Sequence, residues 1–243
     1  MTCKPSFKPA FTPRYSLQPS DFMSKSVRTQ GPLRSGETNK ARGYLHPEQG
    51  EAGCDEAGRG CLAGPVVAAA VILDPGRDWS MLRDSKTLKA DLRYRYAAMI
   101  QEGALAWAVG ACSPKEIDLH NILKASILSM HHALDALTLK PELILVDGNR
   151  FIPWKDRPFR CEIRGDGRWC SIAAAGILAK THRDRLMEQA HARYPVYGWD
   201  RNKGYPTEEH RRAILEWGPS PLHRRTFKVG LQGQLDWGPC PES

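Results

Sequence analysis

The stretch Gly53-Cys54-Asp55-Glu56-Ala57-Gly58-Arg59-Gly60 restricts what this chain can become more than any other. Two adjacent carboxylates close a short apolar segment, and a glycine-flanked arginine follows at once. A few residues later comes an apolar run of strand length, residues 65–73 (PVVAAAVIL). A run without polar alternation suits a strand buried on both faces. Residues 52–55 and 65–73 therefore read as hairpin neighbours, with Asp55 and Glu56 delivered to the end of the first strand. Adjacent carboxylates can hold a hard divalent cation. Glycines on both sides of an arginine let backbone N–H groups approach a phosphate. An isolated Asp-Glu pair is usually a solvated turn, so the reading depends on what else the chain brings to the same place.

Downstream, Thr87 is a plausible cap for a helix reaching Ile100, and residues 104–111 (ALAWAVGA) form a third strand. A short helical turn is expected over 114–119 and a longer helix over 121–137. Residues 143–146 make a compact strand ending in Asp147-Gly148-Asn149, and 159–164 another ending in Gly165-Asp166. A long helix with an alanine-rich face spans 171–190. A last helix spans 207–217, with Thr207 as its N-cap and Glu208 and Glu209 in its first turn. Early strands followed by strands alternating with helices predict an α/β domain with a mixed sheet. In such sheets the carboxyl ends of neighbouring strands converge.

Three predicted strand ends carry acids: Asp55-Glu56, Asp147 and Asp166. Carboxylates gathered this closely raise one another's pKa. A pair of divalent ions removes that repulsion, and two ions about 4 Å apart can activate a water and stabilise a leaving oxygen. An all-oxygen donor set points to Mg²⁺ or Mn²⁺ and away from zinc. The histidines compete poorly for a metal. His131-His132 lacks an HExxH context, and His120, His182, His191 and His210 read as surface or capping residues. No phosphate-binding G-x-x-x-x-G-K-S/T loop and no G-x-S-x-G elbow occurs.

The 243 residues are 41% hydrophobic, enough for one domain with a core and some tail. A net charge of +8 favours an anionic partner such as nucleic acid. Seven cysteines without a C-x-x-C pair argue against a disulfide framework or a zinc ribbon and for reduced thiols in the cytoplasm. No apolar stretch is long enough to span a bilayer, and no secretory signal is visible. Residues 1–48 are rich in proline, serine and basic residues and read as a disordered extension. Residues 49–228 read as the folded domain that carries the acids, and 229–243 as a flexible tail.

Taken in order, several motifs resemble those of bacterial ribonuclease HII. They are Asp55 through Gly60, Asp84-Ser85-Lys86, Asn121-Ile122-Leu123, Asp147-Gly148-Asn149, Gly165-Asp166, residues 171–180 (SIAAAGILAK) with Arg183-Asp184, Lys203-Gly204-Tyr205-Pro206-Thr207 and His223-Arg224-Arg225-Thr226-Phe227. The resemblance runs from about Gly53 to Phe227. It implies a ribonuclease H-like fold, a mixed five-stranded sheet flanked by helices, with a C-terminal helical region. It also implies hydrolysis of the RNA strand of RNA–DNA hybrids and incision 5′ to single ribonucleotides in duplex DNA, leaving 3′-hydroxyl and 5′-phosphate ends, with Mg²⁺ or Mn²⁺ as cofactor.

Carried over by position, Asp55, Glu56, Asp147 and Asp166 are the metal-binding carboxylates. Gly58, Arg59 and Gly60 form the turn that senses the 2′-hydroxyl, and Tyr205 packs on the deoxyribose that follows the ribonucleotide. Lys86, Lys180 and Lys203 are candidate phosphate contacts. Two positions depart from the family pattern. Gly176 stands where serine is common and Asn202 where histidine is common, and neither is expected to touch the four carboxylates. The competing readings are a ribonuclease HIII-like enzyme, a catalytically silent hybrid-binding module and a merely basic structural protein. For the first, whose family carries an additional folded substrate-binding domain in front, residues 1–48 read as too short and too proline-rich to supply one, and the other two leave the acids unexplained. The chain is expected to act as a monomer. Gln232-Gly233-Gln234-Leu235, standing before Asp236-Trp237, is a candidate peptide for a replication-clamp partner, against the simpler reading of a free tail.

Overall fold

In the computed structural model, residues 50–82 and 88–230 are described. Five strands form one mixed sheet: β1 (Glu51–Ala57), β2 (Val66–Ile72), β3 (Ala106–Cys112), β4 (Leu143–Asp147) and β5 (Phe159–Glu162), in the spatial order β3-β2-β1-β4-β5. The hairpin inferred for the first two strands is present, with Gly53 opposite Val71 and Ala57 opposite Val67. β2 pairs antiparallel with β3, whereas β1 pairs parallel with β4 and β4 with β5. Every residue of β2 is buried, as its unbroken apolar run requires. β1 is thus the seam between an antiparallel half and a parallel half. Because Cys54 lies opposite Val146, the next residues along these parallel strands, Asp55 and Asp147, emerge side by side.

Helices cover both faces. α3 (Cys170–His191) packs on one face, where Val67, Ala69 and Val71 meet Ala174, Ala175 and Leu178. α2 (Pro114–Asp135) packs on the other, where Ala52, Cys54, Ala68 and Ala70 meet Met130, Ala133 and Leu134. Two glycines permit this closeness. A Cβ on Gly53 would lie 2.1 Å from the backbone carbon of Ser171 in α3, and one on Gly110 would lie 2.2 Å from the carbonyl oxygen of Ser129 in α2. α1 (Ala90–Gly103) leans on α3, and α4 (Trp199–Asn202) and α5 (Glu208–Trp217) complete a C-terminal region. That region has its own apolar cluster, in which Tyr197, Trp199, Ile214 and Val229 enclose Leu62, Ala63 and Met187.

The two helical pieces expected around position 120 are present within Pro114–Asp135, divided at Asn121, which takes the non-helical φ 65° and ψ 163°. Its Oδ1 accepts from the N–H groups of Leu123 and Lys124 and so caps the second piece. Thr207 caps α5 as expected. α1 begins at Ala90 with Lys89 at its N-cap, while Thr87 lies outside the described residues. β5 stops at Glu162, short of Arg164, because Arg164 turns left-handed (φ 55°) and leads into a 3₁₀ turn over Gly165–Gly167. His210 is neither at the surface nor capping. It is fully buried, takes a hydrogen bond from the Trp199 indole at 3.0 Å and packs against His223. A lone histidine on a short helix carries no sign of such a partner thirteen residues away.

Candidate active site

The carboxyl ends of β1 and β4 and the turn after β5 gather the acids. Asp55 accepts from the Glu56 N–H at 2.7 Å, which fixes its carboxylate against its own strand. Asp147 closes β4 and accepts from the Gly165 N–H at 2.7 Å, tying the strand end to the turn that carries Asp166. Asp166 in turn accepts from the Gly167 N–H at 3.0 Å. Glu56 receives the Arg59 guanidinium at 3.1 Å. Burial and then the charges of Glu56 and Asp147 hold the Asp55 carboxyl well above its usual range. Burial raises Glu56 as well, with Arg59 pulling the other way. The strain of like charges anticipated from the strand ends is therefore present in the fold.

A cleft of about 420 Å³ opens over these groups. Its walls include Asp55, Glu56, Asp166, the whole Gly58-Arg59-Gly60 turn, Lys180 and Tyr205. Tyr205 is 40% exposed and has the Lys180 ammonium 5.4 Å from its ring centre. An aromatic ring backed by a cation is a natural platform for a sugar or base. Lys180 donates to Asp184 at 2.7 Å, and Arg93 of α1 donates to the other oxygen of the same carboxylate at 2.7 Å. Arg93 also lines the cleft, so two cations lie along it next to the acids. Lys203 is turned to Glu188 at 2.7 Å and is not among the lining residues, and Lys86 lies outside the described residues.

Three features escaped the reading of motifs. Gly176 does face a carboxylate: a Cβ there would fall 2.4 Å from Asp55 Oδ2, so this glycine makes room for the acid inside α3. The expectation that it stays clear of the carboxylates is overturned, because a mid-helix position tells nothing of which strand end it crosses. Asn202 is structural, donating to the Tyr197 carbonyl at 2.7 Å and accepting from the Gly204 N–H at 2.8 Å. Arg183 and Arg224 belong to recognised motifs, yet both are fully buried and are spent on backbone carbonyls.

A mixed five-stranded sheet with helices on both faces, and acids collected where its central parallel strands end, defines a ribonuclease H-like protein. The model of the family described as Ribonuclease HII matches residues 52–229. A ribonuclease HII of Bacteroides thetaiotaomicron is 54% identical over 193 residues, covering 79% of this chain and 96% of that protein. Among solved structures, ribonuclease H2 of Pyrococcus horikoshii superposes with a TM-score of 0.64 at 28% identity, covering 74% of this chain and 94% of that one. The ribonuclease HII of Archaeoglobus fulgidus, solved in complex with PCNA, does so with a TM-score of 0.63 at 27% identity, covering 72% and 92%. This chain belongs to the ribonuclease HII family and is an endoribonuclease.

Proposed function

We propose that the cleft hydrolyses the RNA strand of RNA–DNA hybrids and incises duplex DNA on the 5′ side of a single embedded ribonucleotide, leaving 3′-hydroxyl and 5′-phosphate ends. The observation that carries this reading is the meeting of Asp55, Glu56 and Asp166 with the Gly58-Arg59-Gly60 turn and Tyr205 in one groove. Asp147 stands beside them on β4.

The donor set fits Mg²⁺ or Mn²⁺. All four groups are hard oxygens, and a divalent ion would favour the ionised form of Asp55 that burial and then the charges of Glu56 and Asp147 oppose. Among the described residues no group of three or more His, Cys, Asp or Glu side chains is placed to hold a metal ion by itself, so ions at this site would take further ligands from water and a substrate phosphate. When bound, such ions supply charge neutralisation and water activation. In this reading Asp55, Glu56, Asp147 and Asp166 would hold the ions, which would supply their charge to the scissile phosphate. The Gly58-Arg59-Gly60 turn brings backbone groups to the ribose 2′-hydroxyl, which both donates and accepts. Tyr205 packs on the following deoxyribose, where a 2′-hydroxyl would crowd it. Lys180 and Arg93 sit along the groove to meet backbone phosphates.

Among the described residues no helix is long and apolar enough to cross a membrane. We place the protein in the cytoplasm, acting on DNA as a monomer. The PCNA complex of the Archaeoglobus relative supports a clamp contact for this chain as well, although the candidate peptide at Gln232 lies outside the described residues. Residues 49–228 are the extent we assign to the catalytic domain.

The deciding experiment is cleavage of a labelled DNA duplex carrying one ribonucleotide, in Mg²⁺, Mn²⁺ or EDTA. Metal-dependent incision on its 5′ side is expected. Cleavage confined to long hybrids would remove the single-ribonucleotide role, and binding without any cleavage would leave only a hybrid-binding module.

Two further results are expected. Tyr205→Ala should slow incision at a single ribonucleotide about tenfold, the scale of one lost stacking contact, and slow cleavage of a long hybrid much less. Equal losses on both substrates, measured as kcat/KM, would remove the junction role. The second result concerns pH. Asp55 has a folded-state pKa above its unfolded value, so its contribution to stability is present below the unfolded pKa and lost as pH rises through the folded one. A divalent ion binds the ionised form and offsets that loss. The difference in Tm between Mg²⁺ and EDTA should therefore be small near about pH 5 and grow towards about pH 8. A difference independent of pH in thermal melts would count against ion binding at Asp55.

A further inference from the structure

Arg183 and Arg224 lie beneath the Gly58-Arg59-Gly60 turn, and both are fully buried. Arg224 donates from Nη2 to the Gly58 carbonyl at 2.7 Å, from Nη1 to the Arg59 carbonyl at 2.9 Å and from Nε to the Gly64 carbonyl at 3.0 Å. Arg183 donates to the carbonyls of Ala63, Pro65 and Lys203. Gly58 has φ +95°, and a Cβ there would fall 2.0 Å from Arg183 Nε. The glycine is what lets this side chain lie so close to the turn.

A trans peptide is planar, with its C=O and N–H on opposite sides. Drawing the Gly58 and Arg59 carbonyls inward onto Arg224 therefore turns the N–H groups of Arg59 and Gly60 outward. That is the side on which both residues are exposed and line the cleft. Among the described residues neither N–H donates to a backbone carbonyl. Consecutive outward N–H groups make a concave donor pair for a phosphate or hydroxyl oxygen.

The fork that reaches three carbonyls at once is a property of guanidinium that a lysine cannot reproduce. Burial lowers the Arg224 pKa to about 10, which leaves it a cation at neutral pH. Its segment is also pinned from the far side. Asp118 of α2 accepts from the N–H of Arg225 at 2.9 Å, from the N–H of Thr226 at 3.0 Å and from the Thr226 hydroxyl at 2.7 Å.

We propose that Arg224 is a positioning residue: its buried guanidinium fixes the peptide planes of the Gly58-Arg59-Gly60 turn so that the Arg59 and Gly60 N–H groups face the substrate at the ribonucleotide. The role rests on the reading of the cleft as a ribonucleotide site and adds to it the residue that sets the orientation of the turn.

The test uses the full chain in an Asp55→Asn background, so that binding is read without cleavage. Affinity is measured for a DNA duplex with one ribonucleotide and for the same duplex made wholly of deoxynucleotides. Arg224→Lys is expected to lower the ratio of the two affinities about tenfold, the scale of one lost charge-assisted hydrogen bond, with the all-DNA affinity held within about twofold. Should that variant fail to fold by circular dichroism, Asp118→Asn leaves every cleft residue in place and loosens the anchor. It is then expected to lower the same ratio about threefold, the scale of a weakened hydrogen bond. An unchanged ratio in a folded variant overturns the proposal, as does a parallel fall of both affinities, which is what a merely structural role would give. A parent protein with no preference for the ribonucleotide overturns the underlying reading of the cleft, and the positioning role with it.

Discussion

Replacing Asp55 with asparagine is expected to lower the single-turnover cleavage rate at least about a hundredfold, since an amide cannot supply the anionic oxygen that a divalent ion demands. Shape is preserved, so the loss is one of charge. Asp55 stands where burial, Glu56 and Asp147 all oppose ionisation, and it does so without a cationic partner among the causes that shift it. Removing its charge should therefore stabilise the metal-free protein: Tm in EDTA is expected to rise, while the increase produced by Mg²⁺ or Mn²⁺ shrinks. Hybrid binding should persist or tighten, because one negative charge facing the phosphates has gone. The combination is diagnostic. Cleavage near the parent rate would remove Asp55 from the reaction. A fall in both Tm and binding would mean that the carboxylate holds the fold together, contrary to the direction of its pKa shift.

Gly53→Ala should have the largest effect on stability. The added Cβ would lie 2.1 Å from the Ser171 carbonyl carbon, 2.3 Å from the Ile172 nitrogen and 2.4 Å from the Ser171 oxygen. All three are backbone atoms of α3, so no side chain can swing aside. The helix must lift off β1 or the strand must bend, and overpacking of this kind costs about 3 kcal/mol. For a domain of this size that lowers Tm by roughly 6–12 °C. Activity should fall beyond what unfolding explains, because α3 also carries Gly176 against Asp55, and Lys180 and Arg183 beside the turn. Gly60→Ala is the contrast for stability: nothing lies within 4 Å of a Cβ there, and Tm should stay within about 2 °C, as for most surface substitutions. Melting curves for the two variants decide the matter. Equal stability would show that α3 does not sit against β1 as closely as 2.1 Å implies.

How much of this was legible beforehand differs from residue to residue. Local patterns carried the strands and long helices, because burial on both faces writes an unbroken apolar run such as residues 65–73. The break at Asn121 and the cap at Thr207 were legible for the same reason: each involves residues two or three apart. The contacts of His210 with His223, of Gly176 with Asp55 and of Arg224 with Gly58 join residues 13, 121 and 166 positions apart. Nothing in the local pattern distinguishes a buried arginine from a solvated one. Arg224 and its neighbour Arg225 look alike in the sequence, yet the first is fully buried and the second is partly exposed.

The sequence by itself picked out the groups suited to the proposed chemistry: carboxylates at strand ends or in the turn just past one, a glycine-flanked turn and an aromatic, in an order that a known family shares. Chemistry belongs to residue types, and strand ends follow from local apolar runs, so both can be read along the chain. Only the tertiary structure decided how these groups face one another. The parallel pairing of β1 with β4 sets Asp55 beside Asp147, and the buried Arg224 guanidinium orients the turn that lines the same cleft as Tyr205. That orientation depends on contacts between distant segments, whose free energy appears only once the sheet and its helices have packed.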